Sequence, residues 1–266
     1  MDSLSRAERL EGAPKSKYRF GAAYRALLIL SVPMLISSGR VTTSRTVQNH
    51  TSTCIEGTTY NVQTAVVNPV EIKGNVTKFR AGPGLFWVGD VRKDRIRSEL
   101  QSRFTQLPGR RSTVQYDVKV SAEPSLKSSS LVLGQFHATA DQGDFQGYPV
   151  VELNLAQSGL AIYTASVADA QRTSSYPRTL RASKIPFELG KWHSISIDLV
   201  DSFESRGSLC VKVDGRTQYC ESNISVGMND AVGPYWKFGL YYMPAAAKMN
   251  ISASYKNVIL NGSRSC

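Results

Sequence analysis

Residues 95–104 read Arg95-Ile96-Arg97-Ser98-Glu99-Leu100-Gln101-Ser102-Arg103-Phe104. Polar and apolar side chains alternate with period two, the repeat of an extended strand whose side chains point to opposite faces. Arg95, Arg97, Glu99, Gln101 and Arg103 share one face. Ile96, Leu100 and Phe104, with the small Ser98 and Ser102, share the other. Tyr235-Trp-Lys237-Phe-Gly239-Leu-Tyr241-Tyr242 repeats the pattern, with Trp236, Phe238, Leu240 and Tyr242 as a row able to fill a core. Tyr235, Lys237 and Tyr241 form the opposite row, interrupted by Gly239. Glycine inside a strand marks either the close approach of a ligand or a bulge.

The rest of the chain extends this reading. Leu133-Gly-Gln135-Phe-His137 puts Gln135 and His137 on one strand face with Phe136 opposite. Further strand-like runs occupy Thr113–Ala122, Val150–Leu155, Leu160–Ala165, His193–Val200, Leu209–Val213 and Ile251–Leu260. No long amphipathic helix appears, and 20 Gly with 11 Pro supply many turns. An all-β sandwich or jelly roll follows. No collagen period, heptad run or repeated apolar 20-mer is present.

The chain of 266 residues carries a formal charge of +11. Residues 1–39 are a basic leader followed by one apolar run, Ala26–Ser38, which reads as a secretory signal or a type II membrane anchor. Beyond residue 39, 26 basic and 18 acidic residues leave +8, so the excess belongs to the fold itself. Residues 40–59 are Ser/Thr-rich and read as a linker, with the folded domain over 60–266. Both readings of the leader place that domain outside the cytosol, with a membrane partner only if the leader stays as an anchor.

Four cysteines suit an oxidising compartment. Cys210 and Cys220 flank Asp214-Gly215-Arg216, read as a three-residue hairpin loop with a bulge that sets the two opposite each other. Cys54 and Cys266 would then join the start of the domain to its last residue. No CxxC pair or Cys/His cluster calls for a metal, and no cofactor motif is present. Sequons occur at Asn49, Asn75, Asn223, Asn250 and Asn261.

A positive field calls for an anionic partner. Arg, Gln, His, Lys and Tyr on polar strand faces suit a uronate polymer. β-Elimination across C4–C5 of a uronate needs its carboxylate neutralised, a base for the C5 proton and an acid for the departing O4. Arg97-Ser-Glu-Leu100, Gln135-Phe-His137 and Tyr235-Trp-Lys-Phe-Gly-Leu-Tyr241, in that order, resemble the three signature segments of β-jelly-roll polysaccharide lyases. That group holds alginate lyases, glucuronan lyases and heparin-lyase-like proteins. Gly190-Lys-Trp-His193 and Val213-Asp-Gly215 resemble the heparin-lyase-like branch.

The resemblance implies a concanavalin-like sandwich of two antiparallel sheets with a concave substrate groove. It implies that Arg97 and Gln135 hold the carboxylate, that His137 is a base or second neutraliser, and that Tyr241 is the acid. Arg95, Glu99, Lys237 and Tyr235 would line the binding site, with Glu99 orienting Arg97 or Lys237. The sequence departs from the alginate-lyase pattern at Gln101, Phe136, Phe238 and Tyr242-Met243, which bears on the substrate more than on the chemistry.

Other residues have plainer readings. His193 reads as structural and His50 as a linker residue. Glu152 and Asn154 share a face and either touch sugar or meet solvent, while Tyr235 either stacks on a sugar or edges the sheet. No carboxylate triplet on one strand supports a glycosidase, no nucleophile elbow supports a serine hydrolase, and no motif supports nucleic-acid binding. The expectation is a secreted, monomeric lyase of an anionic uronate polysaccharide. The alternatives are a non-catalytic binder of anionic glycans on the same fold and an adhesive surface protein.

Overall fold

The computed structural model describes residues 44–65, 67, 70–85, 87, 95–123, 126, 130–140, 148–168, 178–242, 250–261 and 266. The leader and its signal or anchor lie outside the described residues, and no described helix is long and apolar enough to cross a membrane.

Sixteen strands form the described fold. The first eight are β1 Ser44–Val47, β2 Ser52–Ile55, β3 Thr58–Thr64, β4 Val70–Lys73, β5 Val76–Ala81, β6 Ile96–Thr105, β7 Arg111–Glu123 and β8 Leu131–His137. The rest are β9 Pro149–Ala156, β10 Gly159–Val167, β11 Arg178–Ile185, β12 Trp192–Val200, β13 Ser202–Val213, β14 Arg216–Met228, β15 Tyr235–Tyr242 and β16 Asn250–Leu260.

They make two antiparallel sheets. One runs β1-β4-β5-β16-β7-β12-β13-β14 and the other β2-β3-β6-β15-β8-β9-β10-β11. Two parallel pairs, Ser166 with Gly227 and Val167 with Met228, stitch β10 to β14 along one side. The neighbours β8 and β15 are far apart in sequence, the mark of a jelly roll rather than a meander.

Alternation decides which face goes inward. In β12, Ile195, Ile197 and Leu199 are buried while Trp192 and Ser194 are exposed. In β15, Trp236, Phe238, Leu240 and Tyr242 all turn into the core. The two sheets meet through aromatic edges. Phe238 lies 5.3 Å from Tyr60, 5.6 Å from Phe79 and 5.2 Å from Tyr255, ring centre to ring centre. Such edge-on contacts add to what burial of the rings already contributes.

The structure resolves the two readings of Gly239 in favour of the bulge. The pairing of β15 with β8 slips between Phe238 and Tyr241. Gly239 has φ +135°, and a Cβ there would come within 2.3 Å of the Ser98 carbonyl oxygen. The hydroxyl of Tyr255, from the opposite sheet, meets the Gly239 carbonyl at 2.7 Å and the Leu133 carbonyl at 2.8 Å.

Two expectations change. Residues 44–55, read as linker, form β1 and β2, because β1 pairs with β4 and β2 with β3 in the body of the fold. The Cys210–Cys220 hairpin turns on two residues, not three. Asp214 and Gly215 both have positive φ, the geometry that follows the twist of paired strands, so Val213 pairs directly with Arg216. The bulge sits further along, beside Val211 and Lys212. Among the sequons, Asn49 has its Nδ2 buried, which leaves no room for a glycan, whereas Asn75, Asn223, Asn250 and Asn261 are exposed.

Both cysteine pairs form disulfides, Cys210–Cys220 and Cys54–Cys266. His193 is structural: its Nδ1 meets Asp214 at 2.8 Å and its ring stacks on Phe187.

Candidate active site

Register places the polar residues of β3, β6, β15, β8 and β9 on the face of the second sheet turned away from the core. Gln101 pairs with Lys237 and Lys237 with Gln135, which in turn pairs with Glu152. Directly opposed residues share a face. A solvated face would leave such residues open, yet Glu99, Lys237 and Gln135 are 1%, 2% and 3% exposed. The face is therefore recessed, and its charges must satisfy one another.

They do so around Glu99. Arg97 Nη1 and Lys237 Nζ approach its Oε2 at 2.8 and 3.0 Å, and Gln135 Nε2 donates to its Oε1 at 2.7 Å. Glu99 is in register with Gly239, which offers no side chain to block the reach across β15 to Gln135. Burial pushes the Glu99 carboxyl up, but the Lys237 and Arg97 charges and the hydrogen bonds outweigh it and hold the carboxyl below its ordinary range. Two cations and one carboxylate leave one net positive charge in a water-poor recess.

Tyr241 borders this cluster. Its hydroxyl oxygen accepts from Arg95 Nη1 at 2.7 Å, and the Arg97 guanidinium lies 4.4 Å from the centre of its ring. The Arg97 guanidinium also lies 5.3 Å from the centre of the Trp87 ring, which is anchored through Nε1 to Asn49 Oδ1.

His137 and Tyr235 pair at the next register position. Their rings stack at 5.2 Å, so one face of Tyr235 is covered by the imidazole. His137 Nδ1 lies 2.9 Å from the Ala138 carbonyl oxygen. The Tyr235 hydroxyl also lies 3.1 Å from Nδ1. A carbonyl only accepts, so the Ala138 contact is a hydrogen bond in the tautomer with the proton on Nδ1 and the lone pair on Nε2. Burial, then Lys237, then Arg97 pull the imidazole down to about 3, so the ring stays neutral at ordinary pH. Burial raises the Tyr235 phenol to about 12.

A family model described as polysaccharide lyase matches residues 37–256. The chain belongs to the polysaccharide lyase family. The endo-β-1,4-glucuronan lyase of the fungus Trichoderma reesei superposes on the lyase with a TM-score of 0.60 at 14% identity, over 84% of this chain and 87% of its own. An alginate lyase of Pseudomonas aeruginosa gives 0.53 at 18% identity, over 77% and 98%. The family-7 alginate lyase A1-II' gives 0.52 at 16% identity, over 71% and 80%. These similarities are of fold, the β-jelly roll. No curated protein matches the chain.

Sequence reasoning passed over four polar or aromatic residues of the lyase's recess. Gln63 of β3 donates to Gln101 at 2.6 Å and approaches Arg97. Its place in the alternating run Thr58–Thr64 was the available signal. Trp87 lies outside any strand and carries none. Tyr163 and Arg178 flank Glu152, which is buried rather than solvated: its carboxylate accepts from Asn154 and pairs with Arg178. A pocket of about 310 Å³ on the first sheet, lined by Arg111, Asp198, Cys210 and Cys220, holds one exposed ion pair and no comparable set of buried charges.

Proposed function

We propose that this polysaccharide lyase cleaves a uronate-containing polymer by β-elimination, leaving a 4,5-unsaturated end. The observation that carries the reading is the recess with one net positive charge, where Arg97, Lys237 and Gln135 converge on the Glu99 carboxylate beside Tyr241 and His137. Donors already arranged around one carboxylate require little rearrangement to receive another, and the net positive charge of the recess favours a uronate.

In this mechanism Arg97 and Gln135 hold the uronate carboxylate and withdraw charge from it, so that the C5 proton becomes acidic enough to remove. The C5–H bond breaks, its electron pair forms the C4=C5 bond, and the C4–O4 bond breaks as Tyr241 protonates O4. Where the C5 proton is anti to O4, the neutral Nε2 of His137 takes it. Where it is syn, Tyr241 enters as the phenolate, takes the C5 proton and passes it to O4 as the C4–O4 bond breaks. Glu99 orients Arg97 and Lys237, and Tyr235 holds the imidazole.

The two disulfides support an oxidising, secretory destination. A mature N-terminus near residue 39 in secreted material would distinguish a cleaved signal from a retained anchor.

The test offers folded protein alginate, glucuronan and heparin in turn while the ultraviolet absorbance of the unsaturated product is followed. A rise on one polymer supports the reading and names the substrate. No rise on any uronate polymer overturns it. Tyr241→Phe should lower turnover by about 10²–10⁴, the usual contribution of a positioned acid or base, with substrate binding retained.

A further inference from the structure

The polar face does not end at Gln135. In register with Gln135 stands Glu152 on β9, and in register with Glu152 stands Tyr163 on β10, so the three share one face. Arg178, the first residue of β11, reaches back over this face. Its guanidinium carbon lies 3.5 Å from the centre of the Tyr163 ring, and its Nη2 pairs with Glu152 Oε1. Glu152 is further held by Asn154 Nδ2 at 2.7 Å.

The side chain of Glu152 is 9% exposed and that of Arg178 30%. The guanidinium is thus fixed on one side by a buried carboxylate and on another by an aromatic face, and it remains open to solvent elsewhere. Guanidinium has five N–H donors, and only one is committed to Glu152 in the described contacts. A cation whose rotamer is already set binds an anion without the entropy cost a free surface arginine incurs.

Spacing gives the cation a partner. Adjacent strands lie about 4.8 Å apart, close to the length of one sugar unit. A polymer crossing the strands therefore advances about one sugar per strand. Glu152 is one strand beyond Gln135, and Tyr163 two.

We propose that Arg178, set by Glu152 and Tyr163, is a second carboxylate-binding subsite. It takes the uronate one or two units along the chain from the one held at Arg97 and Gln135. This rests on the uronate-lyase reading above. It makes Arg178 a specificity residue, favouring stretches in which successive sugars are charged.

Size-defined uronate oligomers test it. In the natural protein kcat/KM should climb with length until both subsites fill. Arg178→Ala should remove about ten-fold of that climb, in line with the loss of a charge-assisted hydrogen bond, and leave the shortest cleaved oligomer unaffected. Arg178→Gln, which keeps a donor without the charge, should fall between. A uniform loss at every length, or none, overturns the proposal.

The same oligomers are titrated against Tyr241→Phe protein with and without Arg178→Ala, reading affinity without turnover. Equal affinities of the two proteins at every length also overturn the subsite. Failure of the natural protein to cleave any oligomer, with the length-dependent affinity difference intact, strikes the lyase mechanism and not Arg178.

Discussion

Glu99 is the residue on which the site depends. It neutralises one of two cations that would otherwise share a buried recess, and Lys237 is almost wholly covered. Glu99→Gln should therefore cost on the order of 3–5 kcal/mol, the usual result of stranding a buried charge, read by denaturant unfolding. Activity should fall with it as Arg97 and Lys237 lose their orientation. His137 makes a second prediction at this scale. Its folded value of about 3 lies below the ordinary histidine value of 6.5, so the unfolded chain binds the extra proton first as pH falls. Its contribution to stability is complete above pH 6.5 and is lost progressively between 6.5 and 3. Asp201 works in the opposite sense, because burial raises it to about 6. The comparison must therefore be with His137→Gln, whose stability should fall less steeply over that window. A variant that falls as steeply as the natural protein would refute the assignment. Arg97, Glu99, Gln135 and His137 were legible because a strand face has period two, and alternation alone puts them on one side. The burial of Glu152 was not, since it depends on an arginine 26 residues away in sequence, brought back by β11.

At the scale of elements, the paired bulges of β8 and β15 aim the site. β15 pairs continuously with β6 from Lys237 to Tyr242 but slips against β8 after Phe238, and β8 slips against β9 between Val132 and Gly134. Bulges of this kind twist a strand and redirect a side chain, here Tyr241, two residues beyond Gly239. Tyr255 meets the Leu133 and Gly239 carbonyls from the facing sheet. Tyr255→Phe should thus cost about 1–3 kcal/mol, the penalty of unsatisfied buried acceptors, by thermal or denaturant unfolding. It should also lower kcat more than it alters KM, because the displaced group is Tyr241 and not the carboxylate donors. An unchanged kcat would show that the bulge does not set Tyr241. A glycine in a strand announces an irregularity, and this much was readable. Its sense was not, because the clash that requires Gly239 is with the backbone of β6, at Ser98 and Glu99, far earlier in the chain. The Asp214-Gly215 turn shows the same limit. Its chemistry was visible, but loop length depended on where the bulge fell.

For the molecule as a whole, the two disulfides are unequal in what they close. Cys54–Cys266 spans 212 residues and Cys210–Cys220 spans 10. On the loop-closure argument the long bridge is worth about 5 kcal/mol and the short one about 3 kcal/mol. Replacing Cys54 and Cys266 together by Ser should therefore lower the unfolding midpoint more than replacing Cys210 and Cys220. The reverse order would show that native packing, not chain entropy, governs both. One further consequence follows from β11, which pairs only with β10 among the described strands. A sheet border with free backbone groups is a template on which other chains can polymerise. This border carries Arg178, Arg181 and Lys184, its ladder to β10 is twice irregular, and Lys184 has φ +57°. An incoming strand would have to bring three cations together and follow a kinked rail. The margin that carries Arg178 thus also resists fibril growth, and mutations that strip its charge should be paid for in solubility before they are noticed in folding.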